Sequence, residues 1–335
     1  MENMTCRKCI KTVFISVIMV LVSSCSNESS QSGVANISLA AEMSLLPATV
    51  WVAESKGYFK DHGVNLTIKE YDSGRNALES MLKDKTIDIA TVAQTPVVFN
   101  SFKNEPYVIF ATMAYSLDDI KVLARKDHNI NTPKDLKGKK IGATKRSTGH
   151  YFLEGFLTHY GYDLNDVELN DINASELKEK LASGEVSAIT SWEPHIGHAE
   201  KVIGKKNLTL MISPTPFRKD FYFTTRKTFA NKNSAHLERF LKALMEAEEF
   251  IKSNPEESRR IIANRLKADP VLINKIWDTF TFEISLEQSI IVNLEGEAVW
   301  AKKLSDTNLV IPNYVDFIDT GPLIKVKPHA VNLIY

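Results

Sequence analysis

The stretch GATKRSTGHYFLEGFLTHYG, Gly142 to Gly161, reads as a strand end, a small polar turn and an amphipathic helix. Lys140 to Thr144 is a short run that closes on small residues, and Ser147, Thr148 and Gly149 make the turn. Phe152, Leu153, Phe156, Leu157 and Tyr160 then recur at spacings of one, three and four, which gives one apolar helix face. Ser147 or Thr148 is the N-cap candidate and Gly161 the C-terminal stop. A strand running into a helix N-terminus leaves several backbone N–H donors unpaired. With the helix dipole and two hydroxyls, those donors suit an anion. A plain Ser/Thr-capped strand–loop–helix would show the same residues with no ligand.

Working outward, strand-like and helix-like segments alternate on both sides, which predicts an α/β fold. Before the stretch, strands are expected at Ile37 to Ala41, Val64 to Glu70, Ile87 to Val92 and Tyr107 to Ala114. Helices fall between them, opened by Pro47 and Pro96 and stopped at Gly57. Ile120 to Arg125 is a further strand, and the polar segment Asp127 to Lys139 marks a domain crossing. After the stretch the theme repeats to Ile212, and Phe221 to Arg226 is a return strand. The rest is mostly helical, with Ala235 to Lys252 the clearest helix.

The chain has 335 residues and a formal net charge of zero, enough length for two domains and no basic excess for nucleic acid. Its N-terminus differs from the body. Arg7, Lys8 and Lys11 precede the apolar run Val13 to Val22, which is short for a membrane span but suits a signal-peptide core. Small residues then lead to Cys25, a pattern similar to a bacterial lipoprotein cleavage site. A plain secretory signal with a chance cysteine is the alternative. Residues 1–24 are thus expected to be removed. Cys25 would carry lipid, and residues 25–35 would form a flexible tether of roughly 15–20 Å. Cys6 and Cys9 would leave with the signal, so the body has no cysteine for a disulfide, a nucleophile or a thiolate metal site.

Several segments, in order, resemble bacterial solute-binding proteins of the sulfonate, taurine, nitrate and thiamine-pyrimidine group. They are Ala53 to Val64 (AESKGYFKDHGV), Ile87-Asp88-Ile89-Ala90 with Pro96, Pro133 to Lys139 (PKDLKGK), Ser183-Gly184-Glu185-Val186, Trp192-Glu193-Pro194, and Leu286-Glu287-Gln288-Ser289 with Trp300. Together they span about residues 37 to 330. The resemblance implies a two-lobed periplasmic-binding-protein fold of type II, with a two-strand hinge and a ligand cleft between the lobes. It assigns residues 36–122 plus 226–335 to lobe 1 and 123–225 to lobe 2, with crossings near 120–128 and 221–227. It also implies an ABC permease and ATPase as separate chains, and no cofactor. The protein is expected to act as a monomer. Family enzymes use cysteine chemistry that this body cannot supply. His195 and His198, or His150 and Glu154, share helix faces, but no HExxH metal motif occurs.

In such a fold the ligand sits beyond strand ends, near helix starts. The expected anion contacts are Ser147, Thr148, Gly149 and His150, through two hydroxyls and the amides of Thr148 to His150. Gln94 and Thr95 would contribute from the first lobe, Thr95 also capping the helix at Pro96. Leu46 lies on an apolar loop fit to cover a ligand, and Arg75 either pairs with an anion or is solvated. Trp192 suits a cleft wall, and Glu193 either accepts from a ligand amine or packs at a helix start. Tyr115 and Asp220 lie near the crossings. The ligand expected is small and anionic or zwitterionic, captured for an ABC importer; the alternatives are a pyrimidine or other aromatic ligand, or a ligand-sensing receptor subunit with the same cleft.

Overall fold

The computed structural model describes residues 33–103, 105–305 and 308–334. Cys25, the apolar run before it and most of the tether lie outside these residues.

The strands in chain order are β1 (Ala35–Glu42), β2 (Val64–Tyr71), β3 (Ile89–Ala93), β4 (Tyr107–Ser116), β5 (Lys121–Arg125) and β6 (Lys140–Ala143). They continue as β7 (Glu168–Asp171), β8 (Ala188–Ser191), β9 (Leu208–Met211), β10 (Lys219–Arg226) and β11 (Phe280–Thr281). Two mixed sheets result, and each anchors one lobe. The first has the order β11-β4-β10-β3-β1-β2 and the second β7-β6-β8-β5-β9. In the first, β1 runs parallel to β2 and β3, while β10 lies antiparallel between β3 and β4. In the second, β6 runs parallel to β7 and β8, while β5 lies antiparallel between β8 and β9. Each sheet thus takes in, against the direction of its parallel strands, the strand that has just crossed from the other lobe.

Burial explains why these runs are strands. Every residue of β3 is buried, as expected of a central strand covered on both faces, whereas β2, at the sheet edge, alternates. In the second sheet Val122 and Ala124 of β5 pack with Phe152 and Phe156. Leu123, between them, packs with Leu177, Leu181 and Ile196 in a separate cluster. Period-two alternation therefore feeds helices on both faces. The first lobe centres on aromatic rings: Phe240 stacks on Phe59 at 5.3 Å and meets Phe223 edge-on at 5.2 Å.

The expected helix after the polar turn is observed at Thr148–His159, and the expected long helix at Ser234–Ser253. The lobe boundaries need correction. The sequence predicts a return crossing near 221–227, with 123–225 in lobe 2. The chain in fact leaves the first sheet after Ser116 and enters the second at Lys121; it leaves the second after Met211 and re-enters the first at Lys219. The strand Lys219–Arg226 therefore belongs with β3 and β4. Its buried aromatic pattern would fit either sheet, so only the hydrogen-bond partners decide.

Phe240 is fully buried at the centre of this core. Phe240→Ala is expected to cost about 3–5 kcal/mol, by lost transfer energy and the cavity left behind. Urea unfolding should show a lower midpoint with an unchanged slope; an unchanged midpoint would contradict the packing described.

Candidate functional site

The site lies where helix starts and strand ends of the two lobes face each other. From the first lobe come Glu42 at the end of β1, Ser73 to Arg75 at the start of the helix Gly74–Lys83, and Ala93 and Pro96 at the end of β3. From the second come Ser147 and Thr148, at the start of the helix Thr148–His159, and Trp192 just after β8. Lys219, the first residue of β10, completes the wall at the return crossing. These residues enclose a cavity of about 10 Å³. That is room for about one water molecule, so a solute of several heavy atoms enters only if the lobes move apart. Larger hollows lie elsewhere, such as one of about 550 Å³ beside Arg125 and Lys206, but no unpartnered buried polar atom is found among the residues lining it.

The polar atoms of this cavity set its chemistry. Buried and without a protein partner are Arg75 Nε, Ser147 Oγ, Thr148 Oγ1, Trp192 Nε1 and Glu42 Oε1. Buried polar atoms are normally satisfied, so five around one small cavity point to a ligand or water that satisfies them. Ser147 holds the N-cap position, yet its hydroxyl makes no cap bond and stays available. The first amides of that helix, those of Thr148 and Gly149, have no acceptor within the helix. The His150 N–H, expected to reach the ligand, instead donates to Ser147 O at 3.0 Å.

Charge is fixed around the cavity by bonds across the lobes. Lys219 Nζ donates to Asp119 Oδ2 at 2.7 Å and sits 4.9 Å above the Trp192 ring. Arg75 Nη1 donates to Lys145 O of the other lobe at 2.7 Å. Ser175 Oγ donates to Asp72 Oδ2 at 2.9 Å, also across the cleft. Glu42 Oε2 accepts from Gly74 N–H at 2.8 Å. Burial pushes the Glu42 carboxyl up to about 7, against the nearby Lys219, which pulls it down.

Of the residues picked out from sequence, Arg75, Ser147, Thr148 and Trp192 line the cavity. Gly149 packs beneath it, its backbone close to Trp192. The others are elsewhere. Leu46 is buried in the first-lobe core. Gln94 donates to Arg218 O at 3.0 Å, and Thr95 donates to Glu297 at 2.5 Å instead of capping, because the helix begins at Gln94 with Ala93 at its N-cap. Tyr115 lies under the Arg218 guanidinium, 3.9 Å from it. Asp220 is taken by Arg218 and Asn293. His150 faces a separate hollow of about 350 Å³ with Lys145, Arg146 and Leu304, and burial pulls its pKa down to about 4. Glu193 Oε2 accepts from Gly197 N–H at 2.9 Å, the helix-start role left open by its sequence position. Glu42 and Lys219 carry no site expectation from the sequence, whereas Gly74 sits in the small loop Ser73-Gly74-Arg75. A signal existed for Glu42, since an acidic residue ends an otherwise apolar strand run, Ile37 to Ala41.

Glu297, under the first-lobe wall, has its carboxyl pushed up to about 8 by burial, with Thr95 acting the other way. A carboxyl raised by folding favours the fold fully when protonated below its unfolded value of 4.5, and loses that contribution as pH rises through the folded value. Glu297→Gln keeps the acceptor for Thr95 and removes the titration. The melting temperature of the wild type should therefore fall relative to Glu297→Gln as pH goes from about 5 to about 8. Parallel profiles would contradict the burial assigned to this group.

The comparisons with known proteins agree on one group. The family model described as NMT1/THI5 like matches residues 47–258. The chain is 26% identical over 278 residues to a putative aliphatic sulfonates-binding protein of Bacillus subtilis (strain 168), covering 79% of this chain and 80% of the relative. It is 24% identical over 230 residues to the taurine-binding periplasmic protein of Escherichia coli (strain K12), covering 68% and 69%. Among solved structures it is similar to the periplasmic aliphatic sulphonate binding protein SsuA from Escherichia coli. The TM-score is 0.69 at 16% identity, covering 85% of this chain and 97% of that one.

Proposed function

The chain belongs to the NMT1/THI5-like family, and from that premise we propose that it is the solute-binding component of an ABC importer, held at the outer side of a bacterial membrane by lipid on Cys25. Its solute is small and anionic or zwitterionic, of the sulfonate, taurine or nitrate kind. The observation that carries this reading is the convergence of unpartnered buried donors from both lobes: Arg75 Nε on one side, Ser147 Oγ, Thr148 Oγ1 and Trp192 Nε1 on the other. Hydroxyls, an indole N–H, a guanidinium and a helix start are all donors, and charge-assisted bonds to an anion are the strong ones. One face of Trp192 is already occupied by the Lys219 ammonium, which favours an anion over an aromatic ring stacked there.

Capture works by hinge closure. A solute that bonds to both lobes favours the arrangement in which both sets of donors reach it, and the population shifts accordingly. The two chain crossings, 116–121 and 211–219, are the segments that bend. A permease and an ATPase on separate chains would receive the solute and drive its passage. The body has no cysteine, which supports binding over the cysteine-based desulfination and pyrimidine chemistries of related enzymes.

A thermal-shift panel of taurine, alkanesulfonates, nitrate, bicarbonate and aminopyrimidines tests the reading. A bound solute at a hundred times its Kd adds about 2.7 kcal/mol of stability. With the responding solute, Ser147→Ala combined with Thr148→Ala should weaken binding by about 1–3 kcal/mol and leave the unliganded melt near its original temperature; unchanged affinity would refute the anion site. Cys25→Ser should move the protein from the membrane pellet to the soluble fraction, and a variant that still pellets would refute the anchor.

A further inference from the structure

The five unpartnered atoms of the cavity are not equivalent. Four can donate, two of them hydroxyls that can also accept, and the fifth, Glu42 Oε1, can only accept when the carboxyl is ionised. Glu42 is 2% exposed, and its position is fixed at three points. β1 pairs it with Tyr71, its N–H donates to Thr91 Oγ1 at 2.9 Å, and its Oε2 accepts from Gly74 N–H at 2.8 Å. Gly74 is needed for this approach: a Cβ there would fall 2.9 Å from Glu42 Oε2 and 3.0 Å from Val92 Cα. One carboxylate oxygen is therefore committed, and the other is left to the cavity it lines.

No cation of the cavity satisfies that oxygen. Lys219 is committed to Asp119 at 2.7 Å, Arg75 reaches Lys145 O, and no described residue forms an ion pair with Glu42. A simple anion held by the four donors would leave Oε1 without a hydrogen-bond partner and, with Glu42 ionised, would place a like charge beside it, and leaving a buried charged group unsatisfied is costly. A solute that also carries N–H groups removes both costs. Resting on the anion-site reading above, we infer that Glu42 Oε1 receives an amine or ammonium of the solute, so that the site selects short amino-substituted anions and rejects the same anions without the amine. Glu193, whose sequence position suggested the same role, already has Oε2 bonded to Gly197 and does not line the cavity.

Calorimetric titration of the full-length protein in detergent, with matched pairs, tests this. The pairs are taurine and ethanesulfonate, 2-aminoethylphosphonate and ethylphosphonate, β-alanine and propionate. The amino member of at least one pair should bind roughly 100-fold tighter or more, as expected where a site built to bond an N–H meets an analogue lacking it. Glu42→Gln, which keeps the shape of the side chain, should bring that ratio below roughly tenfold by removing the charge that receives the amine. Equal affinities within every pair would overturn the inference and leave the anion site standing. So would a ratio unchanged in Glu42→Gln. Binding of no member of any pair would overturn the anion-site reading and the inference with it. If Glu42→Gln does not fold, the wild-type ratios decide alone.

Discussion

The two crossings of the chain are joined by a buried ion pair. Asp119 lies on the way out of the first lobe and Lys219 on the way back, and their side chains meet at 2.7 Å while only 1% and 2% exposed. Much of the site is arranged around this contact. Lys219 covers the Trp192 ring and lines the cavity, and Asp119 Oδ1 accepts from the Glu193 N–H. A pair this deeply buried is an expensive way to gain stability. Removing one partner from such a pair typically costs about 3–5 kcal/mol, because the other charge is left uncompensated. Its value here lies in geometry: it ties the outgoing and returning crossings of the chain together beside the cavity. It also commits the ammonium to Asp119, so that Glu42 Oε1 is left without a hydrogen-bond partner.

Each lobe alone would expose its cavity atoms to water. Brought together, they are buried, and the protein supplies no partner for Arg75 Nε, Ser147 Oγ, Thr148 Oγ1, Trp192 Nε1 or Glu42 Oε1. The cross-lobe bonds from Arg75 to Lys145 and from Ser175 to Asp72 favour closure, while the orphaned atoms oppose it. A solute that satisfies them changes the balance, which is how a binding protein couples occupancy to shape.

The fold was largely legible in the sequence because the alternation of apolar runs and helical periodicity is local information. Phe152, Phe156 and Tyr160 announce their helix with no knowledge of the partner sheet. Sheet membership was not legible for Lys219–Arg226, whose buried run suits a central strand of either lobe. The site was legible where chemistry and a local turn coincide, as at Ser147, Thr148 and Trp192. It was not where the role depends on distant partners. Thr95 looks like a cap until Glu297, 202 positions away, takes its hydroxyl. Glu193 looks like a ligand contact until Gly197 takes its carboxylate. Glu42 is the converse: it reads as the end of a strand, and only the approach of Gly74 and the commitment of Lys219 to Asp119 show that one of its oxygens is left over.

If a solute bonded to both lobes holds them together, a distance measured across the cleft must shorten when it binds. The body after Cys25 has no cysteine, so spin labels can be placed on Lys83→Cys in the first lobe and Glu179→Cys in the second, with Cys6, Cys9 and Cys25 replaced. Pulsed electron-spin resonance should give a broader and longer distance distribution without solute. With the solute that binds most tightly by calorimetry, it should collapse to a single short distance. A distribution that stays the same when the solute is bound at saturation would contradict the account.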